Sequence, residues 1–254
     1  MPMDLGLQNK KVLVTGASRG IGKGISLLFA KEGAEVSIVA RNKEGLEKTA
    51  QEHPSLYPIA GDLTDEKERE RVFKDHMEQF GTIDILINNV GGSVGTTVDE
   101  TPLSQFQQAM EWNYFSAVHF SQLALPVMKK QESGAIVNIS SIYGRESGGK
   151  APYNNAKSAL ISFTKALADE VISEGIRVNS VAPGSIIHPE GSWQKRVDED
   201  PEKMKKFVRR EIPGGRFGTV EEVANVVVFL ASEKASWISG ATIQVDGGQS
   251  HMNM

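Results

Sequence analysis

Tyr153 and Lys157 are the residues of this sequence whose types and spacing best suit acid–base chemistry. Residues four apart on a helix lie on one face, about 6 Å apart along the axis, so the phenol and the ammonium would share one space. At ~4 Å and an effective dielectric of ~20, the cation favours the phenolate by ~4 kcal/mol before desolvation opposes it. A tyrosine tuned in this way gives or takes a proton near neutral pH. Taken alone, the pair is more simply an aromatic residue at a helix start and a solvated charge.

The pair lies between a predicted strand and a predicted helix. Ala135 to Ile139 is read as a buried strand that leads to Ser140 and Ser141, and a helix is predicted from Ala156 to Val171. The significance of the pair therefore depends on what the rest of the chain brings to the end of that strand.

A glycine-rich loop near the start of the chain predicts a phosphate-binding turn. Lys11 to Thr15 is a β-branched apolar run, Gly16-Ala17-Ser18-Arg19-Gly20-Ile21-Gly22 follows at once, and helical spacing of apolar residues continues up to Gly33. Glu35 to Ala40 is the next predicted strand. Glycines between a strand and a helix allow a tight turn and close backbone approach to a pyrophosphate, which rests on the helix N-terminus. The alternative is a glycine-rich connecting loop without a ligand.

The end of the second strand indicates which dinucleotide binds. An acidic residue there would accept hydrogen bonds from the ribose 2′-hydroxyl of NAD, but this chain has Arg41, and Arg19 can approach the same place. Two guanidinium groups suit a 2′-phosphate, unless both are simply exposed surface arginines. Asp62 either accepts from the adenine amino group or caps the helix that starts near Asp65, and Leu63 is expected to pack near the adenine ring.

Composition excludes several classes of protein. The 254 residues have a formal net charge of −4, and neither a basic stripe for nucleic acid nor an apolar run of about 18 residues for a membrane is present. The N-terminal residues do not resemble a secretory signal, which together with the absence of cysteine leads us to expect a cytoplasmic protein. The five histidines are scattered, so we expect no metal site.

Strands and helices alternate along the whole chain. Further strands are predicted at 56–60, 83–87, 176–181 and 241–245, and further helices at 44–52, 66–80, 102–130, 202–211 and 219–231. Thr219 and Glu222 form a capping box, and Asn113 inside the long helix either caps a bend and binds water or is a surface residue. We predict an α/β fold: one Rossmann-like domain over 1–254 with a doubly wound parallel sheet of seven strands and helices on both faces.

Several short motifs are spread along the chain in order. They are Thr15-Gly16-Ala17-Ser18-Arg19-Gly20-Ile21-Gly22, Asp62, Asn88-Asn89-Val90-Gly91, Asn113, Ser141, Tyr153, Lys157, Pro183-Gly184, Ser239-Gly240 and Asp246-Gly247-Gly248. Together they resemble the short-chain dehydrogenase/reductase family over nearly the whole chain. The resemblance implies a nicotinamide cofactor, usually a homotetramer, and a catalytic set of Asn113, Ser141, Tyr153 and Lys157. Ser141 is preferred to Ser140 because the family serine usually precedes a glycine by three, here Gly144.

The resemblance also implies what each residue does. Tyr153 would donate a proton to the developing alkoxide, Ser141 would orient that oxygen, Lys157 would lower the tyrosine pKa and hold the nicotinamide ribose, and Asn113 would hold a water. The predicted NADP(H)-binding residues are Gly16, Ser18, Arg19, Gly20, Ile21, Gly22, Arg41, Asp62, Leu63, Asn89, Gly91, Tyr153, Lys157, Pro183, Gly184 and Ile186. His188 stands where the family often has a threonine that contacts the nicotinamide carboxamide, so its role is open.

The substrate is less determined than the reaction. The predicted pocket is walled by Ser93, Tyr143, Glu146, His188 and Trp193, with a lid at about 187–215. The chain resembles family members that reduce 3-oxoacyl groups on a carrier protein. The basic residues of the 202–211 helix would suit an acidic partner, or they form a solvated helix face balanced by Glu202 and Glu211. A dehydrogenase of a small alcohol, sugar or hydroxy-acid is the alternative, and a cofactor-binding regulator without chemistry is a remote one.

Overall fold

A seven-stranded sheet, parallel throughout, forms the centre of the computed structural model, which describes residues 4–253. The strands are β1 (Lys11–Thr15), β2 (Glu35–Ala40), β3 (Leu56–Ala60), β4 (Ile85–Asn88), β5 (Gly134–Ile139), β6 (Ile176–Pro183) and β7 (Thr242–Val245). Their order across the sheet is β3-β2-β1-β4-β5-β6-β7. The order of connection reverses between β1 and β4, which is the place where open α/β sheets form a crevice beyond the carboxyl ends of their strands.

Helices cover both faces of this sheet. They are α1 (Gly20–Lys31), α2 (Lys43–Ala50), α3 (Glu66–Phe80), α4 (Leu103–Met110), α5 (Ser116–Gln131), α6 (Ala151–Val171), α7 (Ser192–Glu199), α8 (Pro201–Glu211) and α9 (Val220–Ala231). One buried cluster joins the sheet to α1, α2 and α9, and a second joins it to α3, α5 and α6. The predicted fold class is therefore confirmed.

The apolar spacing of each helix decides which face it covers. Ile25 and Phe29 of α1 lie four residues apart, are fully buried and belong to the first cluster, whereas Phe120 and Met128 of α5 belong to the second. Thr219 caps α9 by accepting from the Glu222 amide, and the Glu222 carboxylate accepts from the Thr219 amide. The predicted capping box is confirmed, and it fixes the start of α9 beside α1.

The helix that carries Tyr153 begins earlier than predicted. α6 starts at Ala151 instead of Ala156, because Pro152 sits in its first turn, where the missing amide hydrogen costs nothing. Tyr153 and Lys157 thus both lie in regular helix. The sequence-based reading also missed α7, a short polar helix in the 187–215 stretch.

The single long helix predicted over 102–130 is in fact interrupted. A π-helical turn, Glu111–Phe115, separates α4 from α5 and contains Asn113. The Asn113 amide donates to the Ala109 carbonyl four residues earlier and to the Gly92 carbonyl of the neighbouring loop. With 1% exposure Asn113 is no surface residue, and the bend predicted as one alternative is this π-turn.

None of the helices in the described range 4–253 is both long enough and apolar enough to cross a membrane.

Because His76 on α3 is buried, we predict that the protein loses stability in acid. Its ring is fully buried against Ser37, and burial lowers the pKa of His76 from 6.5 to about 4. The unfolded chain therefore binds more protons between pH 6.5 and pH 4, so the free energy of unfolding should fall on the order of 2 kcal/mol as the pH drops through that window. In His76→Phe this part of the acid-induced fall in the free energy of unfolding should be absent. The check is urea denaturation of both proteins at pH 6.5 and pH 4.5, and equal slopes with pH would contradict it.

Candidate active site

The glycine loop between β1 and α1 is built for close backbone approach. Gly16 has φ +67°, and a Cβ on Gly22 would stand 2.3 Å from the Gly16 carbonyl oxygen. No side chain fits at either position, so the loop keeps its backbone bare at the N-terminus of α1. Bare amides at a helix N-terminus form an anion site.

Thr15 and Asn89 tie this loop to the end of β4. The Thr15 hydroxyl accepts from the amides of Asn89 (2.9 Å) and Val90 (3.1 Å). The Asn89 side chain donates to the carbonyls of Thr15 (2.9 Å) and Gly16 (3.0 Å). The Asn89 side chain thus supports the glycine loop by binding the loop's backbone carbonyls, a role that the sequence did not predict. Thr15 was predicted only as part of a motif.

A cleft of about 1210 Å³ opens beyond the carboxyl ends of β1, β2, β3 and β4. Of the predicted cofactor-binding residues, those that line it are Gly16, Ser18, Arg19, Gly20, Ile21, Gly22, Arg41, Asp62, Leu63, Asn89 and Gly91. The other predicted cofactor-binding residues lie outside its lining: Tyr153 and Lys157 on α6, and Pro183, Gly184 and Ile186 at the end of β6. There Gly184 donates to the Val245 carbonyl and Ile186 bridges to Gly218.

Cations gather at one end of the cleft. Arg19, Arg41 and Lys48 line it, and an Arg41 guanidinium nitrogen lies 4.0 Å from an Asp62 carboxylate oxygen. Asp62 accepts from the amide and hydroxyl of Thr64, while Asp65 caps α3. The helix-capping alternative for Asp62 is therefore wrong. Its carboxylate faces the cleft beside Arg41.

Tyr153 and Lys157 meet at the carboxyl end of β5. The Lys157 ammonium is buried, donates to the Ile139 carbonyl at 2.7 Å and lies 5.7 Å from the centroid of the Tyr153 ring. Burial lowers the pKa of Lys157 from 10.5 to about 7. The lysine is thus poised to change charge near neutral pH.

The expected lowering of the Tyr153 pKa is wrong for this structure. Burial raises the pKa of Tyr153 above 10, a hydrogen bond with Ser141 acts in the opposite direction, and Tyr143 nearby raises it further. Desolvation opposes the charged form of both partners, and Lys157 loses its charge above about pH 7, where it would be needed to stabilise a phenolate. The phenol is therefore protonated at neutral pH.

The two serines after β5 have different partners. The Ser140 hydroxyl donates to the Val181 carbonyl at 3.0 Å and accepts from Ser180 at 2.7 Å, so it fastens β5 to β6. Ser141 accepts from the Tyr143 amide, and its hydroxyl acts to lower the pKa of the neighbouring Tyr153 phenol. The choice of Ser141 over Ser140, made from the distance to Gly144, agrees with this placement.

Asn113 approaches the lysine from the other side. Its side-chain oxygen accepts from the Gly92 amide at 3.1 Å. A Cβ on Gly91 would lie 2.5 Å from that oxygen and 3.2 Å from the Lys157 nitrogen, so only glycine leaves the space between Asn113 and Lys157 open. The structure thus brings all four predicted catalytic residues to one end of the sheet.

The predicted substrate wall is only partly assembled around Tyr153. Tyr143 packs over Gly148 and Gly149, and its pKa is raised by burial and then by the nearby carboxylates of Glu211 and Glu146. The Asn154 amide donates to the Glu146 carbonyl at 2.7 Å and so holds this loop against α6.

Three other wall residues lie elsewhere. The Trp193 ring packs at a tilt against Phe207 and Phe217, with centroid distances of 4.8 Å and 5.3 Å. These contacts join α7 to α8 and to the loop before α9. Ser93 is exposed on the loop after β4. His188 lines the cleft beside Gly20, on the glycine-loop side.

One group of possible metal ligands occurs in the described part of the chain. Ligand atoms of Glu66, Glu70 and His119 lie within 4.8 Å of one another. The His119 Nδ1 atom already accepts from the Arg69 guanidinium at 3.1 Å, and both carboxylates are exposed. The absence of a metal stays a prediction.

Because the pKa of Lys157 is lowered in the folded chain, we predict that stability rises with pH. Its pKa is about 7 in the folded chain and near 10.5 in the unfolded one, so the unfolded chain binds more protons between these values. The free energy of unfolding should therefore rise by about 2 kcal/mol from pH 7 to pH 9, and Lys157→Met should lack this component. Chemical denaturation of both proteins at the two pH values measures it. A parallel pH dependence of the two proteins would argue against a depressed lysine pKa.

Comparison with known proteins shows which family model and which relatives this chain is similar to. A family model described as Enoyl-(Acyl carrier protein) reductase matches residues 16–250. The 3-oxoacyl-[acyl-carrier-protein] reductase of Thermotoga maritima is 36% identical over 247 residues, covering 95% of this chain and 98% of that protein. The corresponding reductase of Staphylococcus aureus is 37% identical over 245 residues, covering 94% and 97%.

The chain is also similar to the solved structure of a reductase. L-sorbose reductase from Gluconobacter frateurii, in complex with NADPH and L-sorbose, superposes with a TM-score of 0.93 at 32% identity and covers 98% of this chain and 100% of its own. The matched family model spans the glycine loop and the end of β5 in one unit. The chain is therefore an oxidoreductase that belongs to the short-chain dehydrogenase/reductase family.

Proposed function

We propose that this chain is an NADP(H)-dependent oxidoreductase that interconverts a carbonyl and an alcohol, with Tyr153 as general acid and base. The observation that carries the proposal is the convergence of Tyr153, Ser141 and Lys157 at the end of β5. These acid–base groups adjoin the glycine-lined crevice through Gly91, and such an arrangement suits a redox reaction at a carbonyl oxygen.

The cleft fits a dinucleotide in size and chemistry. Its glycine loop offers bare backbone amides for the pyrophosphate, and Arg19 and Arg41 would hold a 2′-phosphate. Asp62 and Leu63 would meet the adenine, and the Lys157 ammonium would meet the nicotinamide ribose. The bound complex of L-sorbose reductase with NADPH supports the choice of NADP(H).

Tyr153 would supply the proton of the reduction. When bound, the nicotinamide supplies or accepts the hydride. The raised pKa of Tyr153 keeps the phenol protonated at neutral pH, so it donates a proton to the substrate oxygen as negative charge develops there. The Ser141 hydroxyl donates a hydrogen bond to the same oxygen and fixes its position.

Lys157 and Asn113 would return the proton to Tyr153. Lys157 has a pKa of about 7 and so can pass a proton on at neutral pH. The Asn113 side-chain oxygen accepts one hydrogen bond from Gly92 and has a second lone pair for a water on the side of Lys157. Gly91 keeps that path free of a side chain.

For the substrate we favour a 3-oxoacyl thioester on an acidic carrier protein. The reductases of Thermotoga maritima and Staphylococcus aureus are named for that reaction. The exposed cations of α8, Lys203, Lys206 and Arg209, suit a negatively charged partner. Helices α7 and α8 would act as the lid at about 187–215, with Trp193 packed on Phe207 to hold the two helices together.

A sugar or other small hydroxylated molecule is the second candidate. The carboxylates of Glu146 and Glu211 lie close enough to Tyr143 to raise the pKa of its phenol. Carboxylates accept hydrogen bonds from hydroxyl groups and do not suit an acyl chain. L-sorbose reductase gives a precedent at 32% identity.

We also propose a homotetramer in the cytoplasm. Large apolar side chains stand exposed at Leu103 and Phe115 on α4 and its junction with α5, and Trp237 is 99% exposed. Exposed apolar groups of this size are typical of surfaces that bury against another copy.

Tyr153→Phe should separate cofactor binding from chemistry. It removes only the phenolic oxygen, so kcat for carbonyl reduction should fall by about 10²- to 10⁴-fold while the Kd for NADPH changes little. Steady-state kinetics with NADPH and a panel of ketones, together with calorimetric titration of NADPH, measure both. Full activity of the variant would remove the mechanism. If the wild type oxidised neither NADPH nor NADH with any ketone, the remote alternative, a cofactor-binding regulator without chemistry, would be favoured. A marked preference for NADH over NADPH would contradict the role of Arg19 and Arg41.

The two neighbouring serines provide the control. Ser141→Ala should lower kcat by about 10²-fold because it removes one donor to the reacting oxygen. Ser140→Ala should keep kcat within a few-fold and lower the Tm, since its hydroxyl only joins β5 to β6. Equal losses of kcat would indicate a purely structural effect.

Charge reversal on α8 should distinguish the two substrate candidates. Lys203→Glu combined with Lys206→Glu should lower kcat/KM for a 3-oxoacyl group on its carrier protein by about tenfold, because the docking attraction becomes repulsion. The same acyl group on N-acetylcysteamine should react unchanged, and Lys130→Glu on α5 serves as a control for charge reversal away from α8. Equal effects on both thioesters would contradict docking on α8. Turnover of ketoses without turnover of thioesters would favour the second candidate.

A further inference from the structure

His188 stands over the place where the glycine loop receives a phosphate. A Cβ on Gly20, the first residue of α1, would lie 2.9 Å from the His188 Nε2 atom and 3.1 Å from Cε1. The ring edge with Nε2 is therefore in contact with the N-terminus of α1. His188 lines the same cleft as Arg19 and Gly20 and is only partly exposed.

The backbone around His188 holds the ring in this position. The Gly191 amide donates to the His188 carbonyl at 2.9 Å, and a Cβ on Gly191 would stand 2.8 Å from both Cδ2 and Nε2. A side chain at position 191 would therefore displace the His188 ring where the chain turns into α7. The ring is packed between two glycines, one on the loop and one on the lid.

We propose that His188 is a positioning residue for the cofactor pyrophosphate and takes up a proton when the cofactor binds. The inference rests on the proposed NADP(H) site. It moves His188 from the predicted substrate wall to the phosphate end of the cleft. A ring nitrogen at this position can donate to a phosphate oxygen, and in the imidazolium form it adds a positive charge to the N-terminus of α1.

The charges around His188 set its protonation before binding. Burial lowers the pKa of His188 below 6.5, Arg19 on the glycine loop lowers it further, and Glu190 on the same turn raises it. Lys48 of α2 and Glu221 of α9 also line the cleft, and both are exposed. The ring is therefore neutral at pH 7 in the free protein.

A bound pyrophosphate reverses this balance. Two negative phosphates beside the ring favour the imidazolium, so the pKa of His188 rises on binding and a proton is taken up. By linkage, cofactor affinity increases as the pH falls from above the bound pKa toward the lower pKa of the free protein. His188→Gln keeps a hydrogen-bond donor and removes the proton uptake.

The test is calorimetric titration of NADP⁺ into the wild type and His188→Gln at pH 6 and pH 8.5. The gain in affinity on acidification should be about tenfold larger in the wild type. At pH 7, titration in two buffers of different ionisation enthalpy should show greater proton uptake by the wild type. The 2′-phosphate of NADP⁺ itself titrates near pH 6, so the comparison between the two proteins is essential.

Adenosine 2′-monophosphate provides the matched ligand control, since it lacks the pyrophosphate. Its affinity should show the same pH dependence in both proteins. A second measurement needs no folded variant: the His188 ring signal in the NMR spectrum should titrate at higher pH in the NADP⁺ complex than in the free wild type.

Each contrary result has a distinct meaning. Equal pH dependence of NADP⁺ binding in the two proteins, or an unchanged ring titration on binding, overturns the role of His188 and leaves the proposed function intact. Failure of NADP⁺ to bind the wild type at any pH overturns the proposed function and this inference with it.

Discussion

The single direction of the seven strands is the constraint on which the rest of the structure depends. Each parallel strand must be followed by a crossover, so every carboxyl end opens onto the same edge of the sheet. The glycine loop after β1, the Asn89 turn after β4 and the serines after β5 are therefore neighbours, although they are far apart in the chain. Thr15 and Asn89 join two of these ends directly through hydrogen bonds.

The regular elements were predictable because their residues carry local signals. The five residues of β1 and the start of α9 at its capping box match the prediction, since β-branched runs and Thr–x–x–Glu spacing act within one element. The π-turn over Glu111–Phe115 could not be predicted in this way. Its stabilisation comes from a contact between Asn113 and Gly92, a residue on another element, which no local pattern contains. Helix α7 was missed for a related reason, because its apolar anchor is the packing of Trp193 against two aromatic rings of later segments.

The site shows the same division between local pattern and tertiary surroundings. The spacing of Tyr153 and Lys157 correctly placed them together, but the direction of the tyrosine pKa followed from burial, which spacing does not reveal. Burial disfavours the ionised phenol and the ionised amine alike, so the pair in the free protein has less charge than the isolated residues would. A protonated phenol is the form that reduction requires, whereas the reverse reaction would need it ionised.

The distribution of the three tryptophans has a practical consequence. Trp112 lies on the π-turn and lines the glycine-loop cleft, Trp193 of α7 packs against Phe207 of α8, and Trp237 is 99% exposed before β7. Each indole thus occupies a different region and a different solvent environment. Variants that retain one tryptophan would make the emission spectrum a separate optical probe of the crevice, of the α7–α8 segment or of the outer surface.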